Sequence, residues 1–151
     1  MHIFVANLNI NVMEVLEPLA SYSKADDVQS FALVNLVRNG IQFGAFDKMA
    51  GQCGFSMAEW AEYLHLSERS MQRYRKENKP FDPLQSEKIL EIALLYNRGI
   101  EVFGNIEKFS EWLGQENIYL GNIKPKSLLD STFGINLVKD ELIKIEQGIL
   151  A

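Results

Sequence analysis

Two helix-start signals eleven residues apart constrain this chain more than any other feature. Ser56 and Glu59 form an S-x-x-E capping box, in which the hydroxyl accepts a backbone N–H and the carboxylate reaches back to the cap. Ser67 offers a second N-cap. Between them Met57, Trp60, Ala61 and Leu64 recur at i, i+3, i+4 and i+7, one apolar face of a short helix. His65 stands in the join, where such turns usually carry Gly and where positive φ is often needed. Helices this short cannot each bury a core alone, so they must pack on each other. Ala61 is small where they should cross, Leu66 fills the turn, and Met71 and Tyr74 supply the inward face of the second helix. The pattern is a helix-turn-helix.

Read by angle at 3.6 residues per turn, the second helix puts Arg69, Gln72, Arg73 and Lys76 on one face and Met71 and Tyr74 nearly opposite, with Ser70 and Arg75 at the flanks. A helix held by one side can enter a major groove with the other. Arg pairs bidentately with guanine and Gln with adenine, while Ser67, Ser70, Arg75 and Lys76 are placed to hold phosphates. The alternative is a solvated helix whose charges contact nothing. Net charge is −5, which argues against a general nucleic-acid coat or a polybasic membrane binder. Residues 68–79 run the other way, with five bases against two acids, so an acidic protein carries one short basic helix. Glu59 and Glu62 before that helix, and Glu68 at its start, sit close by and would repel phosphate.

The remainder predicts an all-α fold with at most a minor strand. Ile3–Ala6 could form that strand, and Val12 to Tyr22 has weak helical spacing. Val28, Phe31, Ala32, Leu36 and Val37 predict a helix that Gly40 stops, and a further helix is expected around Phe46–Ala50. Pro80 and Pro83 bracket Phe81-Asp82 and mark the best boundary in the chain. A long helix then runs from Leu84 to about Phe103, its apolar stripe (Ile89, Ile92, Ala93, Tyr96, Ile100, Phe103, widened by Leu90, Leu94 and Leu95) broad enough to require burial on more than one side. Short helices fit 105–113, 125–131 and 135–147, around a Gly121-Asn122 turn, with Asp140 and Lys144 paired outward on the last. The expected domains are an N-terminal arm over 1–27, a helix-turn-helix domain over 28–80 and a second helical domain over 84–151.

The order of residues reaches beyond the elbow. Leu66-Ser67-Glu68-Arg69-Ser70-Met71-Gln72-Arg73, then Trp112-Leu113, Asn117, Leu120-Gly121, Pro125, Ser127-Leu128-Leu129-Asp130-Ser131, Phe133-Gly134, Val138, Leu142, Ile145 and Gly148, resembles the Xre/MbcA/ParS-like antitoxins of bacterial type II toxin–antitoxin systems whose toxins have a RES fold. The resemblance runs from about Arg38 to the C-terminus. It implies an N-terminal Xre/Cro-like domain that binds operator DNA as a homodimer and autoregulates its operon. It also implies a small C-terminal toxin-binding domain that holds a cognate NAD-degrading RES-domain toxin inactive, with its last segment at the mouth of the toxin's NAD pocket. The residues make that plausible: Gly148 can cap the last helix as its C′ residue, and Ile149, Leu150 and Ala151 follow as an apolar tail. Ile149 could equally fold back on its own helix. Lys124 and Lys126, around Pro125, are candidates for the toxin surface or simply a solvated loop; Trp112, Leu128, Leu129 and Phe133 read as core.

Other chemistry finds no support. His2 and His65 are far apart and have no partner at ligand spacing, so no metal site is expected. Cys53 is the single cysteine, which excludes an internal disulfide, and it reads as a buried thiol in a reduced, cytoplasmic setting. Glu107 and Glu111 share a helix face but read as a solvated pair, and no phosphate-cradling Gly-rich loop occurs. No run of apolar residues is long enough to span a bilayer. The first residues lack the basic start and cleavage site of a signal peptide. The sequence therefore predicts a protein that is not an enzyme and needs no cofactor. Two rivals to the antitoxin remain at this point: a plain helix-turn-helix transcriptional regulator without a toxin partner, and an interaction module whose helix-turn-helix serves dimerisation.

Overall fold

A computed structural model describes residues 26–148; the strand and helix expected within 1–25, and Ile149–Ala151, lie outside them. Among the described residues there are seven α-helices, two short 3-10 segments and no strand. The helices are α1 (Asp26–Asn39), α2 (Phe43–Ala50), α3 (Met57–Leu64), α4 (Glu68–Glu77), α5 (Pro83–Phe103), α6 (Ile106–Leu113) and α7 (Thr132–Glu146), with 3-10 segments at Ile118–Leu120 and Pro125–Leu128. The chain divides into two compact units after Leu90, within α5.

The first unit is built on an aromatic cluster. Phe46 meets Trp60 and Phe81 edge-on, each at a centroid distance of 5.1 Å, and Phe43 stacks on Phe81 at 5.7 Å. Ile41, Met49, Leu64 and Met71 complete this core. Its closure depends on α5. Asp82 and Gln85 cap that helix reciprocally, with Pro83 at its first position, where a missing N–H costs nothing. One turn on, the buried Ser86 hydroxyl accepts the Ile41 N–H at 2.9 Å and donates to the Phe81 carbonyl at 3.2 Å. The Phe81 N–H in turn donates to the Ile41 carbonyl at 2.9 Å. Gly40 permits this junction. Its φ is +86°, and a Cβ there would lie 2.4 Å from the Phe81 carbonyl oxygen.

The second unit packs Ile92, Leu95, Tyr96 and Ile100 of α5 against Phe109, Leu113, Leu129, Ile135, Val138 and Leu142. The broad stripe of α5 is thus explained: its first turns serve one core and its later turns another. Leu94, expected to widen the stripe, is exposed at its margin. Gly99 lets the Phe109 ring lie against the α5 backbone, 2.3 Å from where a Cβ would stand. Arg98 ties α5 to the end of α7 by pairing with both Glu101 and Glu146.

Several local expectations change. Phe31 of α1 is 72% exposed rather than inward, and Ala32, Leu36 and Val37 are half-buried. The helix expected over 125–131 is a single 3-10 turn, and α7 starts at Thr132, three residues earlier than 135, because the Ser131 hydroxyl accepts the Gly134 N–H at 3.0 Å and caps it there. Phe133, read as core, is 87% exposed. The reason is its neighbour. Gly134 is the inward residue, with the Leu128 carbonyl oxygen 1.8 Å from the position of a Cβ, so α7 meets the chain before it through bare backbone and Phe133 is rotated outward. Lys144 pairs not with Asp140 but with Glu141, at 3.2 Å. Glu141 is 3% exposed, and its second carboxylate oxygen has no hydrogen-bond partner among the described residues.

Candidate functional site

The elbow forms as its caps dictate. Ser56 Oγ accepts the Glu59 N–H and Glu59 Oε1 accepts the Ser56 N–H, both at 3.1 Å, so this carboxylate is committed to its own helix start. α3 ends on His65, at φ 55° and ψ 40°, the left-handed turn for which Gly is usual. The Leu66 N–H closes that turn on the Ala61 carbonyl at 2.9 Å. Ser67 Oγ then accepts the Ser70 N–H and donates to Ser70 Oγ, both at 3.0 Å, and α4 begins.

Packing fixes the rotation of α4. Met71 is fully buried and Tyr74 nearly so, 5.3 Å from the Phe81 ring. Arg69, Gln72, Arg73 and Lys76 are exposed on the other side, and with Ser70 and Glu77 they line one shallow concave surface. The structure therefore brings together the four side chains expected to face outward and adds Glu77, which the sequence reading did not place there. The Arg73 guanidinium lies 5.7 Å from the centre of the Tyr74 ring. Arg75 is turned elsewhere. It pairs with Asp47 of α2 at 3.2 Å and lies 5.5 Å from the centre of the Phe43 ring, so α4 is clipped to α2 by a side chain otherwise available for phosphate. Asn78 ends α4 at φ 46°, and its side-chain oxygen accepts the Gly44 N–H at 3.0 Å, a second clip between the same helices.

In the second unit, Lys124 is exposed at the start of the second 3-10 segment, Lys126 is half-buried and Pro125 is buried between them. Gly148 has φ 73° and its N–H donates to the Ile145 carbonyl at 3.0 Å, the C′ geometry expected of it. Nothing in the sequence pattern set Phe133 and Leu137 apart as surface residues, because Phe-Gly does not reveal which of the two faces the core.

Residues 32–94 match the family described as "Antitoxin Xre-like helix-turn-helix domain", and residues 98–148 match the family described as "Antitoxin Xre/MbcA/ParS C-terminal toxin-binding domain". The chain belongs to the Xre antitoxin family. It is also 25% identical, over 79% of its length and 81% of the relative's, to the protein named Antitoxin Xre of Yersinia enterocolitica. The domain pair of this Xre-family antitoxin implies both DNA binding and a toxin partner. Among the described residues no three His, Cys, Asp or Glu side chains gather as a metal site, and no helix is long and apolar enough to cross a membrane. Burial pushes the Cys53 thiol well above its ordinary pKa, which keeps it un-ionised.

Proposed function

We propose that this antitoxin neutralises a RES-type, NAD-degrading toxin by occluding its active site, and that it binds its own operator as a homodimer in the cytoplasm. One observation carries the DNA half: the exposed Arg69, Gln72, Arg73 and Lys76 face of α4, opposite the buried Met71 and Tyr74. Arg69 and Arg73 reach guanines and Gln72 an adenine, while Ser67, Ser70, Lys76 and Arg75 serve the phosphates. Arg75 must then share its guanidinium with Asp47. Residues 28–80 act as the DNA-binding domain, 84–151 as the toxin-binding domain and 1–27 as a variable arm. Lys124, Lys126 and Gly148 with Ile149, Leu150 and Ala151 contact the toxin. Support for occlusion is the apolar composition of Ile149, Leu150 and Ala151, which follow in sequence the Gly148 that ends α7.

Co-expression with the toxin gene beside it tests this reading. Growth arrest that the antitoxin relieves, and a complex that lacks NAD-degrading activity, are the expected results. Arrest that it does not relieve overturns the neutralisation half. Strong, salt-dependent binding to its upstream DNA tests the other half, since phosphate contacts release counterions.

A further inference from the structure

We propose that the outward side of α7, built on Phe133 and Leu137, is a docking ridge for the toxin partner, received in an apolar recess of that protein. The inference rests on reading the second unit as toxin-binding and goes beyond it by assigning a contact role to Phe133, which the sequence reading had given to the core, and to Leu137. Phe133 is 87% exposed and Leu137 51%. At i and i+4 they lie one above the other on the same side of the helix. Neither can turn inward. The helix meets its own unit through Gly134, where the Leu128 carbonyl oxygen leaves no room even for a Cβ. The Gly134 contact fixes on which side of α7 Phe133 stands, and an exposed aromatic ring offers a partner an anchor.

The choice of occupant rests on the make-up of the ridge and its place in the chain. All of α7 lies within the residues 98–148 that match the toxin-binding family. The ridge offers two apolar side chains, and the same side of the helix continues into the exposed Asp140 and Lys144. One aromatic anchor beside a polar rim is the make-up of a contact between separately folded proteins. A permanent contact between identical chains buries a broader apolar area. The helix that carries the ridge also leads to Gly148, the last described residue among those proposed to contact the toxin. From Phe133 to Gly148 the helix advances about 22 Å at 1.5 Å per residue, within the span of one ordinary interface.

The test uses the full chain and the toxin encoded beside it. Toxin affinity is measured by calorimetry for wild type, Phe133→Ser, Phe133→Leu and the double variant Phe133→Ser/Leu137→Ser. Operator binding, the thermal midpoint and the sedimentation mass of the antitoxin alone are measured alongside. Phe133→Ser is expected to weaken toxin binding roughly thirtyfold, as an anchor residue does, and the double variant further. Phe133→Leu should retain most of the affinity, and operator binding and the midpoint should not move. Toxin affinity within twofold of wild type in the double variant overturns the ridge. So does a fall in the antitoxin's own mass with toxin affinity unchanged, which would assign the ridge to a second copy. Wild type that leaves the toxin unbound overturns the toxin reading itself, and the ridge with it.

Discussion

Arg75 of α4 reaches back to Asp47 of α2, its Nη2 3.2 Å from the carboxylate oxygen, while Arg73, two residues earlier, stays on the open face. Two arginines on one short helix thus have different work. Arg75 holds the elbow against the rest of its unit and balances a carboxylate. Arg73 has no such engagement with α2 and keeps its guanidinium beside Tyr74 at the surface that would face DNA.

Substituting these two should separate the roles. Arg73→Ala is expected to cost about 1–3 kcal/mol on the specific operator and to relax specificity at one base pair. Arg75→Ala should weaken binding uniformly across sequences, and it should lower stability by no more than about 1 kcal/mol, because the pair with Asp47 is half exposed. Fluorescence anisotropy on the operator and on single-base variants, with denaturation curves for both proteins, checks this. Specificity lost by Arg75→Ala and kept by Arg73→Ala would reverse the assignment.

Ser86 should matter more to folding than to recognition. Its hydroxyl is the partner of the buried Ile41 N–H and also meets the Phe81 carbonyl. Ser86→Ala strands the buried donor, at a cost of about 1–3 kcal/mol. Urea denaturation should show the loss in the midpoint with an unchanged slope, and operator affinity at low temperature should stay near wild type.

How much the residues alone disclose depends on how local each signal is. The capping box of Ser56 and Glu59, the Ser67 cap and the left-handed His65 are settled within a few residues, so the elbow and the outward face of α4 were legible. Arg75 was placed at a flank correctly by angle, but its engagement with Asp47 depends on a helix 28 residues away in the chain. Phe133 was misread for the same reason. Of the Phe-Gly pair the larger apolar residue reads as the inward one, and only the backbone of Leu128 against Gly134 shows the opposite. The buried Glu141 was hidden by its charge: polar side chains are assigned to the surface unless a partner is visible, and Lys144 at i+3 becomes visible only once the helix rotation is known.

Cys53 gives a pH-dependent expectation. Burial raises its pKa above the ordinary value of 9.0, so the folded protein keeps the thiol neutral while the unfolded chain ionises near that value. The stabilisation is fully present below pH 9.0 and is lost as pH rises from there toward the folded value. A thiol reagent should therefore label native protein slowly and unfolded protein at once. The thermal midpoint should fall in alkali, and by less in Cys53→Ala than in wild type. Rapid labelling of the native protein at neutral pH would contradict the burial argument.

Removing Ile149–Ala151 separates plugging from folding. Gly148 already completes the C-terminus of α7, with its N–H on the Ile145 carbonyl at 3.0 Å, so the helix can end properly without Ile149–Ala151. The thermal midpoint of the shortened chain should stay close to wild type, and operator binding should be unchanged, because the α4 face belongs to the other unit. Neutralisation should suffer most. If Phe133 and Leu137 anchor the toxin, the shortened antitoxin should still form the complex but leave NAD degradation running within it, and growth should not be restored. That pairing, a retained complex with restored toxin activity, distinguishes a plug from an anchor and is read directly by purifying the complex and assaying NAD loss. Equal loss of toxin binding, operator binding and thermal stability would instead show that the last residues support the fold.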